Sequence, residues 1–298
     1  MPGVDVTYVL FTIVSSLILL CDIPFIMLIF WNRHLRSHKE LVIIGFMCIA
    51  DASHALATLN SGSVRLWLSV HDLDDIQILN TECIRYVFPV IFLYSYQLMG
   101  ASTMAVSIDR CIAVMKLGLY RGLTNQFSFV TIAVISCYVI SLSSIFIYII
   151  QTGTPTISPW IWRYMLYFRM STLVLSSLLY LPITARIIQM ARSLQRGQPS
   201  EIYTKQIIRT TRTIGLTVAA EFLCVVLPDV FLTFNPFGLA SWQVVWYICG
   251  VSKGVVNVLL VTSRHEEIVK VLQQKFRSLT GQASTGTAVT SMNYRSKN

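Results

Sequence analysis

Seven long apolar runs, at about 7–31, 41–59, 84–115, 127–150, 163–191, 207–234 and 241–262, constrain this 298-residue chain more than any other feature. Each is close to or longer than the ~20 residues that span a bilayer core. In hydrocarbon the backbone has no water to bond, so each run is predicted to be a helix. The third and fifth runs exceed the bilayer thickness and are expected to tilt or project. Only 12% of residues are charged and mean hydropathy is +0.63, against about 25% charged in soluble domains. The expectation is an all-α membrane protein, a bundle of seven transmembrane helices. No internal repeat is evident, which argues against an inverted-repeat transporter.

Basic residues set the orientation. An odd number of spans puts the two ends of the chain on opposite sides. One side receives Arg33, Arg36 and Lys39; then Arg110, Lys116 and Arg121; then six residues from Arg186 to Arg212; then six more after residue 262. That is 18 of the 23 Lys and Arg. The other side carries Asp5, Asp72, Asp74, Asp75 and Glu82. The N-terminus is therefore expected outside and the tail in the cytoplasm. The net charge of +9 follows from topology and implies no nucleic-acid partner. The first run lacks a basic start and a small-residue cleavage site, so it reads as the first span rather than a cleaved signal.

At the cytoplasmic end of the third run stands Ser107-Ile108-Asp109-Arg110-Cys111-Ile112-Ala113-Val114. An acid and a base side by side at a helix end also fit two interfacial charges, the Arg favoured by the helix dipole and by snorkelling. In a seven-span chain, however, this segment resembles the rhodopsin-like G-protein-coupled receptors, whose third helix ends in Asp/Glu-Arg-Tyr before an apolar pair; Cys111 replaces the Tyr. The resemblance extends over all seven spans. Asp51, in Cys48-Ile49-Ala50-Asp51-Ala52, falls at the family's buried acidic position. Phe222 lies six residues before Pro228, as in Phe-x-x-Cys-Trp-x-Pro. Asn257 stands where Asn-Pro-x-x-Tyr begins. After the seventh run, Ile268, Val271, Leu272 and Phe276 share one face of an amphipathic helix, which suits an eighth helix on the inner membrane surface. Residues 1–276 then form the receptor domain and 277–298 a disordered cytoplasmic tail, rich in Ser and Thr.

Several motif positions depart from the pattern. Val258 and Val261 replace the Pro and Tyr of the seventh-helix motif, Val226 replaces the sixth-helix Trp, and the motif Cys has shifted to Cys224. Cys83 is near the position of the usual loop disulfide, yet the loop at about 151–162 holds no cysteine, so no such bridge is expected. Erosion of this kind looks like the nematode families of serpentine chemoreceptors.

The resemblance implies a multi-pass plasma-membrane receptor, with a sensory cilium as the finer expectation. It binds an unknown extracellular ligand and a heterotrimeric G protein, with arrestin and a receptor kinase acting on the tail. Asp109, Arg110, Cys111, Phe222, Pro228 and Asn257 are the coupling and activation positions it assigns. Phe92 occupies the position of the amine receptors' Asp and Val251 that of the opsins' retinal Lys, so neither an amine nor covalent retinal is expected. A small molecule or short peptide remains. Its candidate pocket is Phe88, Phe92, Tyr167, Arg169, Asp229, Thr233, Trp246 and Tyr247. An aromatic stripe also serves plain helix packing. Arg169 and Asp229 carry more weight because charge inside a membrane is costly, and they are expected to pair when no ligand is bound.

Asp51 and Lys253 lie ~15 Å and ~13 Å from the cytoplasmic side at 1.5 Å per residue. They are expected to form a buried ion pair in place of a bound cation; the other reading is that Lys253 faces elsewhere and Asp51 is protonated. No His or Asp spacing resembles a metal or protease site. His54 and His71 read as structural or solvated, and no enzyme activity, metal or cofactor is expected. Two other functions fit the same residues. One is a seven-helix transporter or channel with a polar path through Asp22, Asp51, Glu221, Asp229 and Lys253. The other is a non-signalling serpentine protein.

Overall fold

A computed structural model describes residues 6–71, 73, 87–116, 120, 125–152, 158–194, 201–235, 242–264, 268, 269 and 271. Among them are seven helices long and apolar enough to cross a membrane. They are α1 (Val6–Trp31), α2 (Lys39–Val70), α3 (Val87–Met115), α4 (Asn125–Thr152), α5 (Ser158–Leu194), α6 and α7 (Gln243–Arg264). Helix α6 runs Glu201–Glu221, continues through a π-helical turn at Phe222–Val226 and ends at Leu227–Phe234. A one-turn helix, Arg33–Arg36, links α1 to α2; the Asn32 side chain caps it by accepting from the His34 N–H at 2.9 Å.

The bundle is built around α2 and α3. Helix α2 packs on α1 and α3, α3 packs on α5, and α7 closes against α1 and α6. In the most apolar stretch of α2, 83% of residues are buried, against 11% in α4, so α2 is central and α4 peripheral. The outward faces of α1, α4 and α5 expose Leu17, Val134, Tyr148 and Leu181, the apolar surface that lipid covers. Toward the cytoplasmic end, Ile29, Leu41, Ile44, Val106, Ile183, Ile214 and Val261 form one buried cluster. Ile268 is fully buried in that cluster and Val271 packs against it. Residues 268, 269 and 271 are helical, where the eighth helix is expected. Leu272, Phe276 and the tail lie outside the described residues.

Two boundaries depart from the sequence expectation. Helix α2 does not stop near residue 59 but continues to Val70. The polar stretch after it stays helical because it finds local partners. Asn60 Nδ2 donates to Leu56 O at 3.0 Å, and the Arg65 guanidinium lies 5.8 Å above the Tyr8 ring of α1. Helix α6 starts at Glu201, six residues earlier than the apolar run. Its first turns are polar, so hydropathy alone hides them.

Helix α6 is distorted just upstream of Pro228, where the Leu227 N–H bonds to Phe222 O, five residues back. A π turn inserts one residue and rotates the faces on either side relative to each other. Glu221 consequently faces the bundle, 1% exposed, while Phe222 is 36% exposed. In this conformation Glu221, rather than its neighbour Phe222, faces the bundle interior.

Candidate functional site

Among the described residues, three buried charge groups lie along the bundle. Toward the outer end, Arg169 of α5 meets Asp229 of α6: Nε donates to Oδ2 at 3.0 Å, and a second donor reaches Oδ1. The guanidinium carbon lies 3.9 Å from the centroid of the Tyr96 ring on α3, close enough for a cation–π contact. Gly100 makes this approach possible. A Cβ there would strike the Thr172 hydroxyl and come within 3.4 Å of the Arg169 Cα.

Around the pair, His54, Tyr96, Trp246 and Tyr247 line a narrow cleft. His54 is buried, 3.3 Å from Ser95 Oγ and edge-on to Tyr96. Of the eight residues expected at a pocket, Arg169, Asp229, Trp246 and Tyr247 line this cleft, and Phe88, Phe92, Tyr167 and Thr233 do not. Phe92 packs beside His54 at 5.5 Å. Tyr167 is 49% exposed, on the outer face of α5. Thr233 donates back to the Asp229 carbonyl at 2.6 Å. Tyr96 escaped the sequence reading, and His54 was read there as structural or solvated. Their signal is one of depth, since a polar ring deep in an apolar helix needs a partner.

At mid-depth, Lys253 of α7 is 1% exposed and lies between two acids. Its Nζ is 2.9 Å from Asp51 Oδ1 and 2.6 Å from Glu221 Oε1. Asn257 Nδ2 donates to Asp51 Oδ2 at 2.9 Å. Helices α2, α6 and α7 thus meet at one ammonium. The expected ion pair named Asp51 as the partner of Lys253; Glu221 was read with them only as part of a polar path, and its inward direction depends on the π turn. Asp22 of α1 lies close by, wholly buried.

At the cytoplasmic end, Arg110 is 2% exposed and folds back on Asp109, with Nε at 2.9 Å from Oδ2. Adjacent helical residues do not face each other, so this contact needs a bent side chain and a third partner. Tyr120 supplies it. Arg110 Nη2 donates to the Tyr120 hydroxyl at 2.7 Å, and that hydroxyl donates to Asp109 Oδ2 at 3.3 Å. Burial pushes the Tyr120 phenol well above its ordinary range, so it keeps the proton it donates. Cys111 packs against the inner apolar cluster and is a free thiol, as are the other described cysteines. Cys83 lies outside the described residues.

Residues 15–238 match the family described as serpentine type 7TM GPCR chemoreceptor Srsx. No curated protein matches the chain in sequence. Among solved structures, squid rhodopsin superposes with a TM-score of 0.68 at 12% identity, covering 95% of this chain and 89% of that one. At that identity the likeness is one of fold: the rhodopsin arrangement of seven helices.

Proposed function

Because the chain belongs to the Srsx family of serpentine chemoreceptors, we propose that it is a plasma-membrane receptor, in a sensory cilium, that binds an extracellular small molecule or short peptide and activates a heterotrimeric G protein. The observation that carries this reading is the buried Asp109–Arg110–Tyr120 group at the cytoplasmic end of α3. A buried, fully charged guanidinium held by its neighbour Asp109 and by Tyr120, beyond the end of α3, is a latch. Opening the inner face exposes Arg110 to a partner, while closing it returns the charge to Asp109. The cleft around Arg169 and Asp229 is the ligand site in this reading. A ligand that binds the open form better shifts the population toward it. Pro228 and the π turn above Glu221 give α6 a place to bend, and Asn257 holds Asp51 beneath it. The tail, 277–298, is a substrate for a receptor kinase, and its phosphates are the charges arrestin binds.

The test is nucleotide exchange by added G protein in membranes with matched receptor levels. Asp109→Asn removes the acid that restrains Arg110 and is expected to raise basal exchange. Arg110→Ala is expected to abolish exchange while leaving surface delivery intact. Wild-type exchange from Arg110→Ala would sink the reading.

A further inference from the structure

Asp22 is the one member of the mid-bundle acids that Lys253 does not reach with an ion pair among the described residues. It is wholly buried, and neither carboxylate oxygen has a hydrogen-bond partner. Its surroundings are close. A Cβ on Gly254 of α7 would lie 3.0 Å from Asp22 Oδ2 and 3.6 Å from the Cβ of Asp51, so the bare backbone of α7 shares one pocket with two acids. The groups that face Asp22 are Asp51 and the Cys48 thiol from α2 and Lys253 from α7, with Glu221 of α6 behind the lysine.

The charge count is unbalanced. Asp22, Asp51 and Glu221 bring three carboxylates to one ammonium, and that ammonium is in contact with two of them. A buried carboxylate without a donor or cation is not tolerated in a low-dielectric interior and takes up a proton instead. A further orphan stands in the same group: Asn257 gives its Nδ2 to Asp51, but its buried Oδ1 has no partner. The group therefore holds an acceptor without a donor as well as an acid, Asp22, without one.

We propose that Asp22 is a proton-binding site, holding a neutral carboxylic acid against α7 at neutral pH. The proton is the ligand, and the Asp51–Lys253–Glu221 group keeps its own charges. A metal cation is the rival occupant; the nearby ammonium of Lys253 opposes it. The sign of the linkage follows. Above the ordinary carboxylate range the folded chain binds a proton that the unfolded chain does not. Stability then falls with rising pH until the site itself lets go.

The experiment uses the full-length receptor, purified into lipid nanodiscs. Its melting temperature is followed between about pH 5 and about pH 9, in choline chloride and in sodium chloride. One bound proton corresponds to a fall of roughly 2 °C per pH unit. Asp22→Asn, which mimics the neutral acid, is expected to lessen the slope by that amount in either salt. Infrared spectra of the wild type should also show the carbonyl band of a protonated carboxylic acid, and Asp22→Asn should lose part of it. An unchanged slope in Asp22→Asn overturns the proposal. So does a wild type with no protonated-acid band, a result that needs no variant to fold. A slope that disappears only in sodium assigns the site to the metal cation and overturns it as well.

Discussion

The ammonium of Lys253 touches acids from two different helices, so its removal leaves more than one charge behind. Replacing one partner of a buried ion pair costs about 3–5 kcal/mol because the survivor stays unpaired. Lys253→Met is therefore expected to express poorly at the surface. Asp51→Asn combined with Lys253→Met removes one of the stranded charges but leaves Glu221. It should recover only part of the loss, and adding Glu221→Gln should recover more. Surface expression and melting temperature of the three variants check this order; a triple variant no better than Lys253→Met would show that the charges are not what the lysine holds. The residue scale also shows what the sequence can say. Depth along two spans brings Asp51 and Lys253 to one level, and the cost of membrane charge singles out Arg169 and Asp229. Depth says nothing about which way a side chain points around its helix. Glu221 faces in because of a π turn that no residue announces, and Tyr120 lies on a connecting segment with no periodicity to read.

At the scale of elements, the seven helices were legible because each apolar run must satisfy its own backbone in lipid. Their ends were less so. The last three turns of α2 are polar by composition and helical through contacts with α1. The close approach of α3 and α5 is a second feature of this scale. Ser107 and Ser176 meet at 2.5 Å, and Gly100 lets the Arg169 backbone come near. Small residues at such a crossing allow two helices to pack without a gap. Gly100→Val should force α5 outward or the valine off its rotamer, costing about 1–3 kcal/mol. The expected result is a melting temperature lower by roughly 2–5 °C, with Arg169 lifted from the Tyr96 ring. A valine variant as stable as the wild type would mean that α5 has room to spare. Gly100→Ala, one size smaller, should lie between the two.

The whole molecule ties α6 at two depths, to α5 through Asp229 and to α7 through Glu221. Both contacts are buried, so α6 cannot move outward without parting charges or carrying a partner along. The inner latch at Arg110 is a third restraint, on α3. On the proposed function, activation is the concerted release of these groups, and the tail ends it. Truncation after Arg277 is accordingly expected to leave initial coupling intact and slow desensitisation, measured as the decay of the response to repeated stimulation. Unchanged decay would remove the tail from the account. The mid-depth contact gives the sharper test, because it can be loosened alone. Glu221→Gln keeps the shape of the side chain and removes the charge that holds Lys253 to α6. Lys253 still has Asp51, so no cation is stranded and the fold should survive. The expected outcome is basal nucleotide exchange above wild type at matched surface levels, without ligand. If exchange stays at the wild-type level in a variant that folds and reaches the surface, Glu221 holds the bundle together but does not restrain α6.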